Sequence, residues 1–235
     1  MSRNSLGRDF PQTADGYGQL KGFAGAAAET ARKHHDAKIY ADLGKALDAV
    51  GVRSGMTISF HHHFREGDRV VNLVMDALAV RGIRDLVLAP SSLTNVHAPL
   101  LERVKDGTIR RIRTSGLRGP LADAISAGLM DEPVLIHSHG GRARAMDGGE
   151  ITVDIAFLGV PACDERGNAN GSSGASACGS LGYAMVDARN AKKVVLLTEG
   201  IVPFPLAPAS IRMDQVDAIV KRSEERRVGK ECRSR

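Results

Sequence analysis

Met56-Thr57-Ile58-Ser59-Phe60-His61-His62-His63-Phe64-Arg65-Glu66-Gly67-Asp68 decides the fold reading of this chain. It opens on a short apolar stretch, passes into three histidines, an arginine and two carboxylates, and is followed by Val70, Val71, Val74 and Leu78 at helical spacing. A buried strand that exits into polar residues and then a helix is the unit of an open α/β sheet. In such sheets ligands bind outside the carboxyl ends of the strands, so the polar exit is available for chemistry. Asp68 is the expected N-cap of the helix.

Working outward, β-branched runs alternate with helical patterns. Strands are expected near 56–60, 85–90, 108–113, 133–137, 153–159 and 193–198, and helices near 69–81, 97–106, 119–129 and 180–190. The alternation predicts an α/β fold, a mostly parallel sheet with flanking helices on both faces. Residues 1–54 read as an N-terminal segment, Ala-rich and helical from about Lys21 to Val50, that packs on the sheet. Residues 55–221 form the α/β domain, with Val216, Ile219 and Val220 falling on one helical face near its end. Residues 222–235 have almost nothing to bury and read as a non-native tail, the alternative being a solvated C-terminal extension.

The chain has 235 residues, 43% hydrophobic, enough for one substantial core. The net charge of +5 is concentrated at the end, where residues 222–235 hold six Arg or Lys against three Glu. The nearly neutral body, without Trp, argues against nucleic-acid binding. No run approaches the roughly 20 apolar residues of a membrane span, and no secretory layout opens the chain, so cytoplasmic residence is expected. Cys163, Cys178 and Cys232 lack metal-type or paired spacing and read as reduced thiols, Cys163 and Cys178 as small buried ones rather than nucleophiles.

Four successive strand ends carry candidate site residues. They are His61 with His63 and Arg65; Ser91 and Ser92; Thr114 and Ser115 with Arg118; and His139 with Arg142. Gathered in one cleft, these hydroxyls, imidazoles and guanidinium groups suit a polyanionic small molecule. His61 and His63 alternate on extended backbone and could share a metal with Glu66 or Asp68, but the substrate-holding or acid–base reading is preferred and no metal is assigned. Gly167 to Ser180 lies between a strand and a helix and reads as a binding loop whose amides, including those near Gly167, Asn168, Gly171 and Gly179, meet an anionic ligand. Glu199 is a further strand-end carboxylate. No nucleophile elbow, P-loop or dinucleotide fingerprint occurs.

Several motifs, in order, resemble the citrate lyase α chain family. They are Gly55 to Arg65, Ser91 to Leu93 with His97 to Leu100, Thr114 to Leu121, Ile136 to Arg142, Phe157 to Pro161 with Cys163 to Glu165, Gly167 to Gly171, Cys178 to Ala184, and Pro208 to Ile211. The likeness runs from about Tyr40 to Lys221. It implies a CoA-transferase-like fold (NagB/RpiA/CoA-transferase type) and the citrate CoA-transferase step, in which acetyl-[acyl-carrier protein] plus citrate gives citryl-[acyl-carrier protein] plus acetate. It further implies a β (lyase) subunit and a γ (acyl-carrier) subunit as partners, with no cofactor on this chain and a phosphopantetheine-type group on the carrier. Under that resemblance, citrate carboxylates are expected near Arg65, Arg118 and Arg142. His61, His63 and His139 are the expected hydrogen-bonding or acid–base groups, and the 167–179 loop faces the pantetheine arm or thioester oxyanion. Family chains are about twice as long, so the sequence looks like an N-terminal half. The alternative is a non-catalytic fragment that keeps the fold and binds carrier or lyase subunits.

Overall fold

The computed structural model describes residues 38–61 and 69–222, together with four two-residue strand pieces nearer the N-terminus. Those pieces form two small antiparallel ladders, β1 (Ser2–Arg3) with β2 (Asp9–Phe10) and β3 (Thr13–Ala14) with β4 (Gly18–Gln19). The main body runs β5 (Ile39–Tyr40), α1 (Leu43–Val50), β6 (Thr57–His61), α2 (Val70–Val80), β7 (Leu86–Pro90), α3 (Leu100–Lys105), β8 (Ile109–Thr114), α4 (Pro120–Ser126), β9 (Leu135–Ile136), α5 (His139–Asp147), β10 (Ile155–Asp164), β11 (Ala169–Asn170), α6 (Ala184–Asn190), β12 (Lys193–Val202) and β13 (Ala218–Lys221).

One sheet orders these strands β5-β13-β12-β10-β6-β7-β8-β9, every neighbouring pair parallel, with β11 antiparallel on the end of β10. Central β10 is buried along its whole length, and its alternating side chains divide between two cores. Ile155 and Phe157 join Ile58, Phe60, Leu88, Val195 and Val220 on the face covered by α1 to α4, where Phe60 and Phe157 stack with ring centroids 5.4 Å apart. Ala156, Leu158 and Val160 join Leu196 and Ile219 on the face covered by α5 and α6. A strand buried on both faces reads as a continuous apolar run, which is why 153–159 is legible as a strand.

Three expectations change. Residues 39–40 are a parallel edge strand on β13 before the chain enters α1, so the stretch up to Val50 is not helical throughout; residues 21–37 lie outside the described residues. The expected helical face of Val216, Ile219 and Val220 is instead a turn at Val216 leading into β13, a strand between β5 and β12, since so short a β-branched run fits either period. His139–Asp147 is a helix absent from the expected set. Its first turn holds Gly140 and Gly141, but Ser138 caps it by accepting from the Gly141 N–H at 3.0 Å, and its buried face is made of Ala143, Ala145, Met146 and Arg142. Asp68 lies outside the described residues, and Arg69 precedes α2 without a side-chain cap bond.

Candidate functional site

Because the strands are parallel, the ends of β6, β7, β8 and β9 open at one edge of the sheet. The β7 and β8 exits remain zipped together beyond the strands. Ser91 N–H donates to Phe60 O (3.0 Å), Ser115 N–H to Ser91 O (3.1 Å), Leu93 N–H to Gly116 O (2.9 Å) and Arg118 N–H to Leu93 O (3.1 Å). His137 N–H donates to Thr114 O (2.8 Å), which ties the β9 exit to the same assembly. The expected segments at 91–92, 114–118 and 137–142 are thus neighbours in space, beside His61 at the end of β6.

Their side chains differ in what is left to offer. Thr114 is fully buried and its hydroxyl binds Gly116 through both N–H and C=O, so it shapes the turn. Ser91 is buried, and the Ser115 hydroxyl donates to Ser91 O. Ser92 is half-buried, Arg118 is exposed with no ion pair among the described residues, and His139 is exposed with its ring 6.5 Å from that of Tyr183. His61 is half-buried at the strand terminus. His63 and Arg65, with Glu66, lie outside the described residues.

Arg118 owes its place to the glycine that follows. Gly119 has φ +76°, and a Cβ there would come within 2.1 Å of Asn95 Oδ1 and 3.2 Å of Asn95 Cα. Gly119→Ala combines left-handed strain with a clash against the 3₁₀ turn Asn95–His97. It should cost about 2 kcal/mol of stability, measured by urea unfolding, and an unchanged midpoint would contradict this packing.

Arg142 corrects the expectation most sharply. It is not presented to an open cleft: its guanidinium is 2% exposed, pairs with Asp187 at 2.7 and 3.2 Å, and donates to Ala89 O at 2.7 Å. Burial pushes the Asp187 carboxyl up from its ordinary range, while Arg142 and the Ser59 hydroxyl oppose that rise. Nothing in the local sequence pairs residues 142 and 187; only the packing of α5 on α6 does.

The glycine-rich loop also differs from its reading. Asp164, fully buried at the end of β10, accepts the N–H groups of Arg166, Gly167 and Asn168 at 2.9–3.0 Å on one oxygen. Its other oxygen accepts Asn168 Nδ2 (2.7 Å) and the Leu206 N–H (2.9 Å). Asn170 Oδ1 accepts from Ser172 and Ser173, and Gly171 O accepts from Cys178 (2.7 Å) and Gly179 (3.0 Å). The amides of Gly167, Asn168 and Gly179 are therefore spent on holding the loop's own shape. Gly171 is required sterically, since a Cβ would meet Gly179 O at 2.0 Å. Small residues signal such self-packing as readily as they signal a ligand cradle.

Cys163 is buried, and desolvation pushes its thiol up to about 12. Cys178 is exposed on the loop, not buried as expected, and the partial burial of its thiol raises its pKa as well. Iodoacetamide at neutral pH should label Cys178 and spare Cys163 in the native protein; modification of Cys163 without unfolding would contradict its burial. Glu199 is half-buried within β12, which continues to Val202, and so does not end the strand. Among the described residues no group of three or more His, Cys, Asp or Glu is placed to hold a metal ion, and no helix is long and apolar enough to cross a membrane.

With this geometry in view, the comparisons bear on identity. Residues 36–232 match the sequence model of the citrate lyase alpha subunit family, a match that passes beyond Lys221 into the stretch read as a tail. The chain belongs to that family. The citrate lyase alpha chain of Escherichia coli strain K12 is 59% identical over 191 residues, covering 81% of this chain but 38% of its own length. The chain thus spans about two fifths of that family relative. Among solved structures, a chain assigned as the alpha subunit of citrate lyase in Streptococcus mutans, crystallised in complex with citrate, superposes with a TM-score of 0.83 at 46% identity. It is matched over 94% of this chain and 45% of its own. Glutaconate coenzyme A-transferase of Acidaminococcus fermentans, at 13% identity, superposes over 78% of this chain and 75% of its own with a TM-score of 0.57, so the fold is CoA-transferase-like.

Proposed function

We propose that this citrate lyase alpha family chain holds citrate at the carboxyl ends of β6 to β9 and takes part in exchanging acetyl for citryl on an acyl-carrier thioester. The observation that carries the reading is the Streptococcus mutans family structure in complex with citrate, whose likeness covers nearly all of this chain. In the proposed step a citrate carboxylate attacks the acetyl thioester carbonyl and expels the carrier thiolate, leaving an acetyl–citryl anhydride. The thiolate then attacks the citryl carbonyl and expels acetate. The first addition builds an oxyanion beside a trianionic citrate and the second beside the two carboxylates left on the anhydride, so fixed donors and cations lower both barriers.

In this chain Arg118 is the described cation open to a citrate carboxylate, with Ser92, Ser115, His61 and His139 as hydrogen-bonding groups around it. His63 and Arg65 belong to the same proposal from sequence. The carrier (γ) and lyase (β) subunits are the proposed partners, and the thioester is carried on the phosphopantetheine-type group of the carrier subunit, not on this chain. A second reading is favoured by the span of two fifths of a family relative: the chain binds citrate or its partner subunits without turnover. The test is acetate release from an acetyl-carrier thioester with and without citrate, beside calorimetric titration of citrate. Citrate-dependent release supports transfer, citrate binding without release supports the second reading, and no citrate binding overturns the citrate site on which the proposal rests.

A further inference from the structure

We infer that the buried Arg142–Asp187 pair is a positioning device that fixes the β7 exit, the start of α5 at His139 and the α6 segment at Tyr183 relative to one another. The inference rests on the citrate reading only for its consequence in binding; the positioning itself is independent of any ligand. Each arm of the pair is anchored a short step from a site group. Arg142 sits three residues into α5 from His139, and its guanidinium donates to Ala89 O, two residues before Ser91 at the β7 exit. Asp187 sits in α6 four residues after Tyr183, whose ring neighbours that of His139 and whose hydroxyl lies over Gly140. Ser59, buried two residues before His61 at the β6 exit, alternates with Ile58 and Phe60 and so lies on the α5–α6 side of the sheet, but its hydroxyl makes no hydrogen bond among the described residues.

The pair is a poor device for stability alone. Both side chains are removed from water, a cost that ion pairing repays only with excellent geometry, and the Arg142 Nε–H has no hydrogen-bond partner among the described residues. What it does provide is direction. A planar guanidinium bonded at two points to one carboxylate and at a third to a strand carbonyl allows α5, α6 and β7 one mutual arrangement. The apolar side chains that α5 and α6 themselves bury are mostly alanines, Ala143 and Ala145 on one and Ala184 and Ala188 on the other, with Met146, and alanines have little side chain with which to interdigitate.

The test separates position from stability. In the double variant Arg142→Met/Asp187→Leu, hydrophobes of similar volume replace the pair, and such replacements are commonly neutral in stability. Asp187→Asn, which keeps the shape and loses the charge, is the second variant should the first not fold. Amide hydrogen exchange in the folded variant should accelerate about tenfold or more at 138–141 and 91–92, while β12 and β13 keep their protection. Citrate should bind about tenfold or more weakly, since small misplacements of binding groups are costly. Arg142→Lys, with charge but no fork, should fall between. Unchanged local exchange in a folded variant would overturn the inference, as would acceleration spread evenly over the sheet. If the unaltered chain binds no citrate, the functional reading fails while the exchange result still decides the positioning.

Discussion

Asp164→Ala lowers the melting temperature by about 10 °C, the equivalent of about 3–4 kcal/mol in a domain of this size. The cause is a buried carboxylate with five donors converging on it, four of them backbone N–H groups, of which Gly167 alone is also within reach of the Asp164 carbonyl. Alanine takes the acceptor from the partly buried N–H groups of Arg166, Asn168 and Leu206 and from Asn168 Nδ2, and it frees the 165–168 turn from the segment at Leu206. The pH dependence follows from the same contacts. Burial pushes the Asp164 carboxyl up, but the bonds from Leu206, Asn168 and Arg166 outweigh it and hold the group below its ordinary value. A carboxyl depressed in the folded state contributes stability that is fully present above its unfolded value of about 4 and is lost as pH falls through the folded value. Melting curves from pH 7 down to pH 3 should show that acid loss in the native sequence and a smaller loss in Asp164→Asn. Parallel curves would remove Asp164 from the account.

Arg118→Ala weakens citrate binding by about 10- to 100-fold, the 1.5–3 kcal/mol of one charge-assisted contact. Arg118 is exposed and carries no ion pair among the described residues, so its removal strands no buried partner and the fold should be unaffected. Contrast Arg142, where the same substitution would leave Asp187 buried without its counter-charge. A titration of citrate into the Arg118→Ala and Arg118→Lys chains decides the point: lysine keeps the charge but not the fork, and should restore part of the affinity. Equal affinity in all three chains would exclude Arg118 from the site.

Much of the architecture was legible because the strands obey one rule. Residues 155–158 and 194–197 are apolar throughout, as strands buried on both faces must be, and the 56–60 stretch ends in the polar exit expected of a site strand. The failures have equally specific causes. The helix His139–Asp147 hides behind two glycines and three charged residues, because a helix packed by alanines needs no apolar stripe. Residues 216–221 are too short for period to separate strand from helix. The grouping of the candidate residues was legible; their individual surroundings were not. Ser91, Ser92, Ser115, Arg118 and His139 lie at adjoining strand exits as expected, while Arg142 and the loop amides look the same in sequence whether they face a ligand or each other. The partner that decides Arg142, Asp187, is 45 residues away and visible only once α5 and α6 are packed. Asp164 carried one local signal, an Asp before Gly167-Asn168, a turn-forming sequence whose amides a carboxylate can collect.

The most direct measurement of the central claim is a crystal structure of the chain grown with saturating citrate. Citrate density is expected at the carboxyl ends of β6 to β9, with a carboxylate on Arg118 and further contacts from among Ser92, Ser115, His61 and His139, and with Arg142 still on Asp187. Citrate bound elsewhere, or bound with Arg142 swung away from Asp187 to meet it, would contradict the account.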